Sequence, residues 1–417
     1  VTVYEHEIMG DIPIGEAWIL RSHCEKHIEI VGGSGQGKTT LAEWLMLGIL
    51  ERRDAGLLLI DPTGDSYRKY VGWLSEGTIN RPAYLVDPAE IILRYNPLAV
   101  EKDPKELASH VAGLYEALHL IQSDTPAGQH RQMQRFVTST LRALIEADLT
   151  LADAYDWLTD ENFRTRHLAK IKHEETRKEW LRVPSRNDLK STENWFAVFW
   201  EHDALKGMYS GNGFDWRKVY DEQALVLLNL RSFAGSLRYS RAIAAMFITG
   251  LLSHARQARE TKLWYVVVDD ATDYTPAHVG QLLTLGRHFD LYLVLIHHQE
   301  FPGTLQRAVD IGCRTKFIFG EIPREYRWQV SGYTPTGRPS MVDGPTHLGA
   351  YQALHIFDGR VVQTLNVEPT PEPYEDPASF KASIFEHPWY GDEKREERAK
   401  AAPSRKKPPR PPIAGGG

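Results

Sequence analysis

The segment Gly32-Gly33-Ser34-Gly35-Gln36-Gly37-Lys38-Thr39 matches G-x-x-x-x-G-K-[ST] and constrains this chain more than any other feature in it. Such a loop works between a buried strand and a helix. His27–Val31 reads as the strand, and a helix pattern runs from Thr39 to about Arg52, with Leu41, Trp44, Leu45 and Ile49 on one face. Gly48 lies on the same face and weakens the pattern. The glycines let main-chain N–H groups wrap phosphates, and the helix N-terminus adds positive potential. ATP is therefore expected on Gly32, Gly33, Ser34, Gly35, Gln36, Gly37, Lys38, Thr39 and Thr40. Lys38 is expected to reach the β- and γ-phosphates, and the Thr39 hydroxyl to ligate Mg²⁺.

A P-loop needs an acidic partner on another strand, and Val266-Val267-Val268-Asp269-Asp270 supplies one. Asp269, at the strand end, is expected to hold Mg²⁺, and Asp270 to orient or deprotonate the attacking water. Capping of the next helix is the plainer reading of Asp270. Asp273 reads as a solvated turn residue. Asp61 and Asp65 follow the apolar run Leu57–Ile60 in a D-P-x-G context, where turn chemistry is the favoured reading. His23, Cys24 and His27 lack zinc-site spacing and a second ligand pair. His297 and His298 end a strand and read as structural.

Strand, helix and strand around the loop form a βαβ unit. Apolar runs return at Ala224–Leu230, Trp264–Val268, Leu291–Ile296 and Thr315–Phe319, with a long helix at about Leu237–Arg259. Runs apolar on both faces indicate buried parallel strands. Tyr351–Val367 reads as a hairpin turning at Asp358-Gly359. From about Glu101 to Phe214 helical periodicity dominates. The expected fold is α/β: a P-loop core with a doubly wound, mainly parallel sheet and an inserted all-α domain. Residues 1–100 and 215–367 form the two parts of the core, 101–214 the insert, and 368–417 a Pro-rich basic tail, largely disordered.

Composition narrows the partners. The net charge is −6, so contact with DNA has to be local, through a loop or the tail, where Lys394–Arg410 holds eight Lys/Arg and two Glu. DNA phosphates or anionic lipid suit that charge, although a solvated tail is the more frequent outcome. The two cysteines, Cys24 and Cys313, build no disulfide framework and suit a reducing cytosol. The best apolar run, Ala242–Leu252, is 11 residues long, too short for a membrane span.

The order of motifs resembles the HerA/FtsK superfamily of RecA-like DNA pumps, and within it the coupling ATPases of conjugation and type IV secretion. The resemblance is carried by His27–Thr40, Leu57–Asp65, Tyr95–Leu98 (YNPL), Ala224–Leu230, Val266–Asp270 and Leu282–Gln299, and spans roughly residues 10–367. It implies a RecA-like core, a homohexameric ring, ATP and Mg²⁺ as cofactors, and DNA moved through the channel. A secretion-channel or relaxase partner, and a place in the cytoplasm or at the inner face of the cell membrane, go with it. It also implies that Arg287, in the G-R segment, reaches the neighbouring subunit's γ-phosphate, that Gln299 acts as a sensor, and that the insert caps one end of the ring and contacts DNA. Arg287 can serve that role only if another subunit's ATP lies near it; pairing with a local carboxylate is the plainer alternative.

Two departures stand out. Asp270 occupies a position where the family usually has Glu. The family's N-terminal membrane helices are missing, which leaves a soluble relative and a chain trimmed before Val1 both open. Besides the DNA pump, two other functions are compatible: a nucleotide-switched adaptor with little turnover, and a DNA-end-processing or phage-defence motor working with a separate nuclease.

Overall fold

The computed structural model describes residues 11–52, 55–100, 104–122, 131–182, 186–274, 276–330, 346–373 and 377–391. Its strands are β1 (Ile12–Ile14), β2 (Ala17–Ile19), β3 (Ile28–Val31), β4 (Gly56–Asp61), β5 (Ala83–Val86), β6 (Leu225–Asn229), β7 (Trp264–Val268), β8 (Leu291–His297), β9 (Thr315–Phe319), β10 (Gln352–Phe357) and β11 (Arg360–Asn366). Apart from the small β1–β2 pair, they form one nine-stranded sheet in the order β11-β10-β9-β3-β8-β7-β4-β6-β5. From β9 to β5 every neighbouring pair is parallel, while β10 and β11 add an antiparallel edge. The doubly wound α/β expectation therefore holds.

The solid apolar strands are explained by cover on both faces. Leu57 and Leu59 join the core under helices Lys38–Arg52 and Asp65–Ser75, while Leu58 and Ile60 join the core on the opposite face. Tyr265 and Val267 likewise part from Trp264, Val266 and Val268. A period-2 backbone buried on both sides has no polar face to show in its sequence. Gly48 has a packing reason to interrupt its helix face: a Cβ there would stand 2.4 Å from Ile12 Cγ2, so the glycine admits the β1–β2 pair. In the hairpin, Asp358 and Gly359 both take positive φ (49° and 75°), as a type I′ turn requires.

Between residues 104 and 221 the described elements are all helical, from Pro104–Gln122 to Trp216–Asp221. Helix Pro104–Gln122 packs along Leu237–Gln257, and Leu107, Val111 and Leu114 share one apolar core with Ala242, Ile243 and Phe247. The residues flanking this helical stretch are tied together beside helix Leu237–Gln257. Trp216 Nε1 donates to Tyr95 Oη (3.2 Å), and Tyr95 Oη donates to the Met246 carbonyl (3.1 Å). In the N-P-L segment, Asn96 bonds Asn212 (2.9 Å) and the Pro97 carbonyl meets His110 Nε2 (2.7 Å).

The expectation of a disordered segment from residue 368 is corrected for the part that is described. The Trp44 indole donates to the Glu368 carbonyl (2.8 Å) and that of Trp73 to the Pro371 carbonyl (2.9 Å). Buried Thr370 donates to Glu43 (2.7 Å). Helix Ala378–Phe385 follows, and buried Tyr390 accepts from the Leu85 amide (2.8 Å) at the β5 edge. Composition argued correctly that the segment cannot fold alone; it folds by satisfying indole and edge-strand groups of the core. Residues 392–417, with the basic run, lie outside the described residues.

Two buried histidines make stability depend on pH. His27 Nδ1 accepts the Leu293 amide (3.0 Å), which needs a neutral ring, and burial followed by the charge of Arg287 lowers its pKa to about 4. His355 is stacked on Phe317, and burial lowers its pKa to about 3. Both folded values lie below the unfolded value, so the stability they confer is full above about pH 6.5 and is lost as pH falls toward 4. Between pH 7.5 and 5 urea unfolding should lose about 2 kcal/mol per ring. His355→Phe should remove one ring's share of that slope; an unchanged slope contradicts the assignment.

Candidate functional site

The P-loop leaves β3 at Val31 and enters helix Lys38–Arg52 at once, so its amides gather at the C-terminal edge of the parallel sheet. Gly35 and Gly37 take φ of 72° and 101°, the left-handed region in which a side chain is strained. Gln36 braces the loop from within, accepting the Gly33 amide at 2.6 Å, and Gly33, Ser34 and Gly35 are exposed. Lys38 folds back onto the Gly33 carbonyl (2.9 Å). Its pKa is lowered by burial, against the attraction of Asp269 and Asp270.

The acidic partner comes from β7, two strands away across β8. Thr39 Oγ1 donates to Asp269 Oδ2 at 3.0 Å, although 230 positions separate them in sequence. Burial, followed by the charge of Asp270, raises the Asp269 pKa to about 6. This carboxylate is buried beside a second one, Asp270, with Lys38 as the nearby cation, and it sits with a hydroxyl at a helix N-terminus. A hard divalent cation fits that donor set, with phosphate and water oxygens completing its shell. Asp269 Oδ1 also accepts the Asp270 amide (2.9 Å). Asp270 turns left-handed (φ 48°) and brings Oδ1 within 3.4 Å of His298 Nδ1.

β8 lies between the two motifs and delivers Gln299 to them: its Nε2 is 3.4 Å from Thr272 Oγ1 on the β7 side. The residues behind it were missed as a group in the sequence. His297 is buried, with Nδ1 on the Gln299 carbonyl (2.8 Å) and Nε2 on Glu29 Oε1 (3.1 Å). Glu29 Oε2 meets Lys316 Nζ at 2.7 Å. His297 and Lys316 hold the buried Glu29 carboxyl below its usual range, overcoming the opposing effect of burial. The visible signal was a charge in the middle of a core strand, since Glu29 interrupts the run from Ile28 to Val31.

Lys38, Thr39, Asp269, Asp270 and Gln299 thus meet at one sheet edge, and Arg287 does not. Arg287 sits in the turn Gly286–Phe289, ahead of β8, where Gly286 packs against His27 at the start of β3. That is the N-terminal edge of the sheet. The length of β8, seven residues, separates it from Gln299, about 23 Å. Arg287 is exposed and makes no hydrogen bond or ion pair among the described residues. Asp61 follows the turn reading: it is buried and accepts the amides of Thr63, Gly64 and Tyr67 at 2.8–2.9 Å. A polar cleft lined by Asn96, His110, Asp215 and His254 lies away from this chemistry. No described helix is long and apolar enough to cross a membrane.

Residues 19–170 match the family model for the central domain of helicase HerA. No curated protein matches the sequence. Among solved structures, the bacterial conjugative coupling protein TrwBdeltaN70 superposes with TM-score 0.62 at 14% identity, over 88% of this chain and 91% of that one. The plasmid coupling protein TrwB in complex with ADP and Mg²⁺ gives TM-score 0.61 at 14% identity, over 91% and 95%. VirB4 of Thermoanaerobacter pseudethanolicus gives 0.53 at 14% identity, over 87% and 96%.

Proposed function

For a chain that matches the HerA central domain over residues 19–170 and has the fold of the conjugative coupling proteins, we propose an ATP-driven DNA motor working as a homohexameric ring. Conjugative transfer or coupling to type IV secretion is the setting that the names of its structural relatives suggest. The observation that carries the reading is the Thr39–Asp269 contact beneath the P-loop, across 230 positions of sequence. It joins the P-loop to the tip of β7 at one point, and a cation from a second subunit would complete the site.

Each residue then has a role. The loop amides and Lys38 hold the triphosphate, and Thr39 with Asp269 would hold Mg²⁺, which when bound would supply charge neutralisation for the phosphates. Asp270 orients the attacking water and accepts its proton. Gln299 senses the terminal phosphate from β8, with its main chain tethered by His297. Arg287 of a neighbouring subunit stabilises charge on the transferred phosphoryl group. The test is ATP hydrolysis with and without DNA. Stimulation by DNA supports the motor; a rate indifferent to DNA of every length, at low and moderate salt, removes it.

Asp270 favours a second reading, a nucleotide-switched adaptor. Its arm is one methylene shorter than glutamate and is drawn toward His298. Misplacement on that scale costs about 10²-fold in rate. Asp270→Glu should raise turnover by up to about that factor if the chain is a weakened enzyme. Turnover that stays near zero in both proteins favours the switch.

A further inference from the structure

Among the described residues, Tyr351 is one of seven large hydrophobic side chains left exposed, at 45%. Its backbone is left-handed (φ 58°), an uncommon and costly state for a bulky residue. Two bonds impose it. The Tyr351 amide donates to the Gln36 carbonyl inside the P-loop (3.2 Å), and its own carbonyl accepts the Val367 amide (2.8 Å). The approach to it is equally fixed, by the Leu348 amide on the Gly320 carbonyl (2.8 Å) and the Gly349 amide on Gln352 Oε1 (2.9 Å). The effect is to lay the ring on the last glycine of the loop: a Cβ on Gly37 would stand 2.7 Å from Tyr351 Cδ1.

Topology says which part of a nucleotide comes there. Tyr351 opens β10, and the sheet order β10-β9-β3-β8-β7 puts it on one side of the P-loop strand and Asp269 on the other. A triphosphate whose outer phosphates sit by Asp269 and Lys38 runs across the helix N-terminus toward Gly37. Its nucleoside end then emerges beside the exposed ring. We propose that Tyr351 is the stacking platform for the base of the bound nucleotide. The proposal rests on the P-loop reading and extends it to the ligand class. An aromatic face binds any base by its π-surface and reads no donor–acceptor pattern, so the platform accepts GTP as well as ATP.

The test measures binding of ATP, GTP and inorganic tripolyphosphate, each with Mg²⁺, to the wild type, Tyr351→Gly and Tyr351→Phe. Glycine accepts the left-handed backbone without strain, so that variant removes the ring and spares the turn. Tyr351→Gly should weaken ATP and GTP alike, by about 5- to 100-fold, and leave tripolyphosphate unchanged. Tyr351→Phe should bind all three as the wild type does. Unchanged ATP affinity in Tyr351→Gly overturns the platform, and so does an equal loss for tripolyphosphate, which marks a loop support only. A wild type that binds neither tripolyphosphate nor ATP overturns the P-loop reading and the platform with it.

Discussion

An Arg287→Ala protein is expected to bind ATP as the wild type does and to hydrolyse it on the order of 10³–10⁵ times more slowly. The size follows from where the cation acts. Placed on the transferred phosphoryl group, it meets charge as that charge develops, in a site with little water. The separation of effects follows from position. Arg287 stands at the N-terminal edge of the sheet and the P-loop at the C-terminal edge, so its removal leaves every contact of the resting nucleotide within the chain intact. Mixing tests the geometry. In a ring of Arg287→Ala and Lys38→Ala subunits, some interfaces join an intact P-loop to an intact arginine, and activity should return there. If mixed rings form and stay inactive, the arginine does not act between subunits.

Lys38→Ala should also be close to inactive, for a different reason. Lys38 lies between the Gly33 carbonyl and the two aspartates, on the path of the triphosphate. Losing a charge-assisted contact to a bound phosphate costs about 1.5–3 kcal/mol in affinity. Losing a donor aimed at the transition state costs on the order of 10²–10³ in kcat. Arg287→Ala and Lys38→Ala should therefore part in binding assays, where only the lysine variant is impaired. Equal, undiminished nucleotide affinity in both contradicts the role given to Lys38.

The candidate nucleotide site was legible in the sequence because its parts are local. A glycine loop between a strand and a helix, and an aspartate pair at the tip of an apolar strand, each fit within a few residues. The parts that were not legible depend on distant partners. β5 (Ala83–Val86) is a four-residue edge strand too short to show a period. The contacts of Glu368, Thr370 and Tyr390 join residues some 300 positions apart, so composition marked a tail where the core supplies its hydrogen bonds. Glu29 and His297 looked unrelated until β3 and β8 paired. Tyr351 gave no signal, since its left-handed backbone comes from bonds to Gln36 and Val367.

The claim beneath all of this is that Lys38, Thr39 and Asp269 form a single Mg²⁺–triphosphate site. Calorimetric titration of the purified chain with ATP tests it, with Mg²⁺ and with EDTA, in the wild type and in Asp269→Asn. One nucleotide per chain is expected, with affinity that falls sharply in EDTA for the wild type and depends little on Mg²⁺ in Asp269→Asn. Affinity indifferent to Mg²⁺ in the wild type, or an undiminished Mg²⁺ effect in Asp269→Asn, contradicts it.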